Sequence, residues 1–284
     1  MVKIGCRQRI LEKYESERST QTERKIAKYL RDNFETALHS TLLDLAELVG
    51  VSDASIVRFC KGIGYKGFQE FKINAALEFV PEEKLYNPRL NRNDSTKDIC
   101  NKIFSSEISA LTRTLQDLDI EALEKVANLL SEAPRIMFVG TGGSMAVAKD
   151  AQHKFLKIGV QASSLEDKDI QLMEASLLKK GDVLFAISHS GNNLHVINVV
   201  EIARESGTTV VALVSQGKNE LAKNADYVLS TISEETIFQS ESGSTRLAHL
   251  AVIDCIVAIM AFKNYDRSLN AMQRTREATS GNKV

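Results

Sequence analysis

The spacing of hydrophobic residues changes near Pro134 in this chain of 284 residues. Before that point, apolar residues recur every three or four positions, as Ile26, Leu30 and Phe34 do, which is the period of an amphipathic helix. After it, short apolar runs such as "RIMFVG" and "DVLFAIS" alternate with helical stretches. Strands that alternate with helices indicate a parallel sheet. We therefore predict an all-α N-terminal domain followed by an α/β domain whose parallel sheet is flanked by helices.

Prolines mark the domain boundaries, since proline is poorly tolerated inside helices and central strands. Pro81 and Pro88 fall in the polar stretch "VPEEKLYNPRLNRNDSTKD", which is typical of a linker. A further helical stretch follows from about Ser95 to Glu132, before the first strand. We predict four segments: the all-α domain over residues 1–80, the linker over 81–94, the α/β domain over 95–264 and a C-terminal tail over 265–284.

Two short helices joined by a glycine turn stand out in the first domain. The helix "LLDLAELV" ends at Gly50, and glycine adopts a positive φ readily. Ser52 is a good N-cap for the next helix, "DASIVRFCKGIG". This second helix would turn a basic and hydroxyl face outward, which is the pattern of a helix-turn-helix that reads the DNA major groove. The predicted DNA-contacting residues are Ser52, Ser55, Arg58, Lys61 and Lys66.

A compact helical bundle that binds no DNA has the same short helices and glycine turns. Local charge favours DNA only slightly, because four cations stand against two carboxylates between residues 53 and 72. Backbone phosphates need cations, and a few well-placed ones suffice for modest binding. The local pattern alone leaves both interpretations open.

The composition narrows the function classes. The formal net charge of -1 gives no bulk positive field for nucleic acid or a membrane surface. The start of the chain lacks the apolar core of a signal peptide, and the longest apolar run, "LAVIDCIVAIMAF", is too short for a membrane span and contains Asp254. The four cysteines form no C-x-x-C pair, and the five histidines show no metal-ligand spacing. We therefore expect a cytoplasmic protein without membrane contact, metal or cofactor.

A glycine loop follows the first predicted strand, in "MFVGTGGSMAVAKD". Gly140 and Gly142 fit the start of a dinucleotide fingerprint, but Met145 occupies its closing small-residue position. A nucleoside triphosphate loop is excluded as well, because no Gly-Lys-Ser/Thr follows. Gly143, Ser144 and the N-terminus of the next helix would suit a single phosphate group.

A second loop of the same kind follows the strand "DVLFAIS", in "SHSGNN". Ser188 and Ser190 present hydroxyls on either side of His189, and Asn193 adds an amide near the next helix start. Hydroxyls and backbone amides can bind a phosphate without lysine. One such loop is ordinary helix capping, but two loops at the carboxyl ends of parallel strands favour a ligand site.

The motifs "GTGGS", "SHSGNN" and "STRLAHLAVIDCI" together resemble the sugar isomerase (SIS) domain. The N-terminal "TQTERKIAKYL" and "LAELVGVSDASIVRFCKGIGYKGFQEFK" resemble the helix-turn-helix of the RpiR family of bacterial transcriptional regulators. The resemblance implies a dimeric regulator, usually a repressor, that senses a phosphosugar. Carried over by position, the residues around the phosphate would be Ser144, Ser188, Ser190 and Asn193, although the family usually has Ser or Thr at the last position.

Sugar-contacting residues are less well defined. The predicted second strand, "GVQASSLED", ends beside the phosphate loops, so Asp167 is a candidate. The family often has an Asp-x-His-Leu-Gln run there, whereas this chain has "DKDIQ", with Asp169 in place of the histidine. Glu241, just before the last helix, is positioned to close over a sugar. His249 lies on the apolar face of that helix, and we expect it in the core.

Two functions follow from these features. One is a regulator of sugar or amino-sugar catabolism genes that binds operator DNA and a phosphosugar, with an N-acetylhexosamine 6-phosphate as a candidate. We expect it to be a homodimer or higher oligomer, paired through the long apolar helix over 247–262. The other is a phosphosugar isomerase with an accessory helical domain, which needs a base such as Glu241 or His189. The N-terminal domain favours the regulator, because an isomerase would not need it.

Overall fold

The computed structural model describes residues 5–79, 90–232 and 243–281. The chain folds into two compact units. The first contains the described residues up to Lys102, and the second contains those from Ile103 onward. Most of the predicted linker lies outside the described residues, so the predicted boundaries at residues 80, 94 and 264 stay predictions.

Short helices build the described part of the first unit. Thr20 and Glu23 form a capping box, since the Thr20 hydroxyl accepts a hydrogen bond from the Glu23 amide at 3.2 Å and the Glu23 carboxylate accepts one from the Thr20 amide at 2.9 Å. Ile26, Phe59 and Phe71 are among the large side chains of the core. Full burial of each such side chain stabilises the fold by roughly 1.5–3 kcal/mol. The helices are α1 (Cys6–Glu15), α2 (Gln21–Asp32), α3 (Phe34–His39), α4 (Leu42–Val49), α5 (Asp53–Gly62), α6 (Phe68–Phe79) and the start of α7 (Thr96–Asp117).

A parallel sheet forms the centre of the second unit. Its strand order is β2-β1-β3-β4-β5, and each neighbouring pair runs parallel, as the strand–helix alternation predicts. The elements after α7 are α8 (Ile120–Glu132), β1 (Ile136–Val139), α9 (Gly143–Lys157), β2 (Ala162–Ser163), α10 (Lys168–Ser176), β3 (Val183–Ser188), α11 (Leu194–Glu205), β4 (Thr209–Ser215), α12 (Glu220–Lys223), β5 (Tyr227–Thr231), α13 (Gly243–Lys263) and α14 (Tyr265–Ser280).

Helices cover both faces of the sheet. On one face, side chains of α8, α9 and α13 pack with alternate strand residues such as Phe138 and Phe185. Phe138 meets Phe155 edge-to-face, with ring centroids 5.0 Å apart, and such a pair adds about 0.5–1.5 kcal/mol beyond burial. On the other face, α10 and α11 pack against the remaining strand residues, including Met137 and Leu184. The central strands are therefore buried on both sides, and their carboxyl ends meet at one edge.

The structure corrects the predicted second strand. Only Ala162 and Ser163 pair with β1, opposite Ile136 and Met137, so β2 is a short edge strand. The Asp167 carboxylate instead accepts hydrogen bonds from the backbone amides of residues 169 and 170. Asp167 is therefore the N-cap of α10, which starts at Lys168. The predicted strand therefore ends early because its last residue caps a helix.

The C-terminal part of the chain is more helical than predicted. The predicted tail contains α14, and the run that was expected to be too short for a membrane span lies in the longer helix α13. Its residues 244–263 are the one segment in the described ranges long and apolar enough to cross a membrane. Val252, Ile253 and Ile256 of α13 are buried in the core of the second unit, which explains its apolar composition.

Candidate functional site

The loop between β1 and α9 is a tight turn that requires glycine. Gly142 has φ 56°, and a Cβ at Gly140 would lie 2.9 Å from the Ser144 backbone. The amide of Ser144 donates to the carbonyl of Thr141, so the first turn of α9 closes directly on the loop. Ser144 therefore lies at the N-terminus of a 15-residue helix, where the helix dipole favours negative charge.

The loop between β3 and α11 is held by the last residue of β4 and by the segment that follows this strand. The carbonyl of His189 accepts a hydrogen bond from the Ser215 amide at 3.0 Å, and its Nδ1 lies 2.5 Å from the Ser215 hydroxyl. Gly191 has φ 60°, and a Cβ there would lie 2.1 Å from the side-chain oxygen of Asn219. His189 and Ser188 are both buried. The second predicted phosphate loop is thus a rigid, packed turn.

These two loops and the start of α13 line a small cavity that is partly open to solvent. His249 is 1% exposed, and among the described residues its Nε2 has no hydrogen-bond partner. Burial, together with a smaller effect of the neighbouring His189, lowers the pKa of His249 to about 3. The imidazole of His249 is therefore neutral near neutral pH. The cavity is lined by Gly143, Ser144, Val147, His189, Thr245, Arg246 and His249.

Three of the predicted ligand residues, Gly143, Ser144 and His189, meet in this cavity. Ser188 ends β3 directly before His189, whereas Ser190 is exposed and its hydroxyl accepts a hydrogen bond from the Asn192 amide at 3.3 Å. Neither Ser188 nor Ser190 is part of the cavity lining.

The other predicted contacts have local structural partners. Asn193 caps α11, because its side-chain oxygen accepts from the Val196 amide at 3.2 Å. Asp167 caps α10 in the same way, and Asp169 is exposed in its first turn. None of these three lines the cavity. Glu241 lies outside the described residues.

Thr245, Arg246 and His249 line the cavity but were not predicted as ligand residues. His249 was expected in the core, and it is buried as expected. Thr245 and His249 are four residues apart, so they share one face of α13. Two polar residues at this spacing in a largely apolar helix are the sequence pattern that could have indicated Thr245 and His249.

Gln171 connects the cavity loops to the helix that follows β2. Its side-chain amide donates to the carbonyl of Leu165 at 2.6 Å and to that of Gly140 at 3.4 Å, and its oxygen lies 2.7 Å from Nε2 of His195. Gln171 is fully buried. It therefore holds the first glycine loop in place without lining the cavity.

The predicted helix-turn-helix is present in the first unit. Gly50 is left-handed, with φ 68° and ψ 51°, and ends α4. The amide of Val51 donates to the carbonyl of Ala46 at 2.9 Å, which is the helix-ending bond of a Schellman turn. Ser52 then caps α5 by accepting a hydrogen bond from the Ser55 amide at 3.3 Å. The turn thus fixes the start of the second helix through local bonds.

The predicted DNA-contacting side chains share the outer face of α5. The hydroxyls of Ser52 and Ser55 lie 2.8 Å apart, and Arg58 donates to the Ser55 hydroxyl at 3.0 Å. Lys61 is exposed near the end of the helix, and Lys66 is exposed beyond it. Phe59 points into the core from the opposite face. The face is polar, exposed and locally basic.

No group of three or more His, Cys, Asp or Glu side chains in the described ranges could hold a metal ion. The free cysteines Cys6 and Cys60 are buried, and Cys100 and Cys255 are exposed. Burial raises the pKa of Cys6 to about 11 and that of Cys60 to about 12, so neither buried thiol is a thiolate near neutral pH.

Solved structures share this fold. NanR of Vibrio vulnificus, complexed with ManNAc-6P, is similar with a TM-score of 0.82 and 24% identity, over 97% of this chain and 99% of that one. A phosphoheptose isomerase from Francisella tularensis is similar with a TM-score of 0.50 and 20% identity, over 59% of this chain and 98% of that one. The predicted fold class, a helical N-terminal domain and a SIS-like α/β domain, is confirmed.

Family models and a relative identify the chain itself. A helix-turn-helix domain of the rpiR family matches residues 5–82, and a SIS domain matches residues 129–259. An HTH-type transcriptional regulator of Caldanaerobacter subterraneus subsp. tengcongensis is 36% identical over 265 residues, which are 93% of this chain and 94% of the relative. The chain belongs to the RpiR family of helix-turn-helix transcriptional regulators, with a DNA-binding N-terminal domain and a C-terminal SIS domain.

Proposed function

We propose that this DNA-binding regulator senses a phosphosugar in the cavity of its SIS domain and that the bound sugar changes its affinity for operator DNA. The observation that carries the proposal is the meeting of the N-terminus of α9, the His189 loop and Arg246 around one cavity. A helix N-terminus, a serine hydroxyl and a guanidinium are all suited to a phosphate dianion. Ser188, Ser190 and Asn193 follow β3 and are proposed to complete the phosphate contacts.

An N-acetylhexosamine 6-phosphate is the proposed effector. The similar NanR structure contains ManNAc-6P, which is such a compound. Asp167, Asp169 and Glu241 are proposed sugar contacts, although the helix cap at Asp167 leaves only part of that carboxylate for a ligand.

The proposed DNA site is the outer face of α5, with Ser52, Ser55, Arg58 and Lys61 toward the major groove and Lys66 toward the backbone. Arg58 is the residue suited to a base edge, because its guanidinium can form two parallel hydrogen bonds with guanine. We propose that the regulator represses genes of sugar or amino-sugar catabolism in the cytoplasm. The effector would release or strengthen this repression.

The proposed assembly is a homodimer or a higher oligomer. Helix-turn-helix dimers read two half-sites about one helical turn apart. On α13, Leu247 is 42% exposed and Phe262 is 77% exposed, and a partner subunit would cover both. Light scattering at micromolar concentration should give at least twice the monomer mass. A monomer with full operator affinity would refute the dimer.

The isomerase alternative is not favoured. The relatives are named transcriptional regulators, and an isomerase would need a base beside the sugar carbons. Of the two candidate bases, His189 is buried and its Nδ1 lies 2.5 Å from the Ser215 hydroxyl. Glu241, the other candidate base, lies outside the described residues.

The test combines ligand binding with DNA binding. The full-length protein is screened by thermal shift against ManNAc-6P, GlcNAc-6P, glucose 6-phosphate and inorganic phosphate. A ligand at about 100 times its Kd should stabilise the protein by about 2.7 kcal/mol. Fluorescence polarisation then measures affinity for a duplex that the protein selects from random DNA, with and without that ligand. The proposal fails if no sugar phosphate stabilises the protein or if the DNA affinity does not change.

Conversion of the ligand is measured in the same samples. Aldose–ketose turnover, followed by proton nuclear magnetic resonance, would overturn the sensor and revive the isomerase. A sensor should leave the sugar phosphate unchanged over hours.

A further inference from the structure

We infer that His249 is a direct binding residue of the effector, hydrogen-bonding the bound phosphosugar through Nε2. This inference rests on the proposed function, because it assigns a ligand contact within the proposed cavity. The family comparison assigns no role to His249, and the sequence indicated only a core position for it.

The first argument is the lack of a partner for a deeply buried polar atom. His249 is 1% exposed, and no described residue hydrogen-bonds its Nε2. Most buried polar groups in folded proteins are hydrogen-bonded, and an unpaired one is destabilising. An apolar residue would serve better if the position only filled the core. The imidazole is explained if a ligand supplies the missing partner.

The second argument is position. The imidazole of His249 lines the same cavity as Ser144 and His189, which belong to the two loops at the carboxyl edge of the sheet. Thr245, one turn earlier on α13, lines it as well. The orphaned nitrogen therefore belongs to a side chain that faces the proposed ligand from the helix opposite the loops.

The charge state defines the kind of contact. Because burial lowers the pKa of His249 to about 3, the ring is neutral near neutral pH. Its Nε2 can then form one hydrogen bond, as donor or acceptor according to the tautomer. Arg246, on the same helix, is the cation of the cavity lining. The two residues would thus act differently: Arg246 through charge, and His249 through a directional bond to a phosphate oxygen or a sugar hydroxyl.

The experiment compares the full-length wild type with His249→Leu and His249→Gln. Leucine has a similar volume but no polar atom, whereas glutamine keeps an amide that can replace Nε2. Isothermal titration with the sugar phosphate that stabilises the wild type should show roughly tenfold weaker binding for His249→Leu and a largely restored affinity for His249→Gln. His153→Gln, at an exposed position on α9, is the matched control and should bind as the wild type does.

The melting temperature without ligand is a second measurement, because a ligand contact and a folding role of His249 predict opposite changes in it. Removal of an unpaired buried polar group should leave the melting temperature of His249→Leu equal to or above that of the wild type. A folding role for the imidazole would lower it instead. Weaker binding together with an undiminished melting temperature is the result expected only of a ligand contact.

Inorganic phosphate as a second titrant identifies the group that His249 contacts. If His249→Leu weakens phosphate and sugar phosphate equally, the contact is to the phosphate; if it weakens only the sugar phosphate, the contact is to a hydroxyl. Unchanged affinity of His249→Leu for the sugar phosphate, or a lowered melting temperature, overturns the inference while the proposed function stands. Absence of any sugar-phosphate binding by the wild type overturns both.

Discussion

The outer face of α5 and the cavity of the SIS domain are both polar, but they are built in opposite ways. On α5, the hydroxyls and the guanidinium of Ser52, Ser55 and Arg58 bond to one another on an exposed surface. In the cavity, buried imidazoles and loops that require glycine are packed against the sheet. Exposed polar groups cost little stability, whereas buried ones must be positioned and paired. Substitutions on α5 should therefore change function alone, whereas substitutions in the packed glycine loops of the SIS domain should also lower the stability of the fold.

The largest expected effect is a loss of stability in the buried loop after β3, caused by Gly191→Ala. Gly191→Ala places a Cβ at 2.1 Å from Asn219 at φ 60°, and Asn219 is itself fixed by bonding the Ala222 amide at 2.8 Å. We expect a loss of about 2–4 kcal/mol in the free energy of unfolding, from overpacking and positive-φ strain together. Chemical denaturation followed by circular dichroism measures it.

The matched control is Gly217→Ala. Gly217 also has a positive φ, of 132°, but no atom lies within 4 Å of a Cβ there. Strain without a clash should cost about 1 kcal/mol. Equal losses in the free energy of unfolding for the two variants would show that the packing of the His189 loop against Asn219 does not stabilise the fold.

Arg58→Ala tests the exposed outer face of α5. Loss of a base-edge contact should weaken specific DNA binding by ~1–3 kcal/mol and leave the free energy of unfolding within ~0.5 kcal/mol of the wild type. Lys66→Ala is the comparison variant, because loss of a phosphate contact weakens binding to all sequences and reduces the salt slope by about 1. Polarisation titrations at several salt concentrations distinguish the two. Unchanged operator affinity of Arg58→Ala would remove Arg58 from the interface.

Ser188→Ala and Ser190→Ala separate a buried from an exposed serine of the same loop. Both should weaken the sugar phosphate by ~1–3 kcal/mol if they bind its charged phosphate. Operator affinity without ligand should stay nearly intact, while the change that ligand causes in the wild type is lost. Titration calorimetry and polarisation measure the two quantities. If only Ser188→Ala has an effect, Ser190 does not contact the phosphate.

The smallest expected effect is the loss of stability in mild acid. His249 has a folded pKa of about 3 against an ordinary value of 6.5, so below pH 6.5 the unfolded chain binds a proton that the folded chain does not. Stability is therefore lost as pH falls from 6.5 toward 3, by about 1 kcal/mol between pH 8 and pH 6. His249→Gln should show a shallower decline over this window in urea denaturation. Parallel curves for the two proteins would contradict a buried neutral imidazole.

Local patterns predicted the helical unit well. The capping box at Thr20, the left-handed Gly50 and the N-cap Ser52 are each set by neighbours within a few residues, so the sequence could indicate them. The contacts of α5 with DNA stay predictions, because they depend on a partner. The exposed face itself follows from helical periodicity alone.

The cavity was only partly predictable for a physical reason. The two glycine loops are local, and their positions after β1 and β3 are confirmed. The contribution of α13 is not local, since His249 meets Ser144 only when α13 packs on the sheet. Strand β2 was predicted too long, because an aspartate that caps a helix resembles the polar end of a strand. The roles of the predicted ligand residues stay predictions.

The cavity is assembled from three segments that are far apart in the chain, around residues 144, 189 and 249. An unfolded chain has no such arrangement, so an effector would bind the native state alone and lower the fraction of unfolded molecules. Proteases in the cell act on that unfolded fraction, and a change of 1–2 kcal/mol alters protein abundance several-fold. A bound sugar phosphate would therefore lengthen the lifetime of the regulator. The number of regulator molecules, as well as their affinity for DNA, would then depend on the concentration of the sugar phosphate.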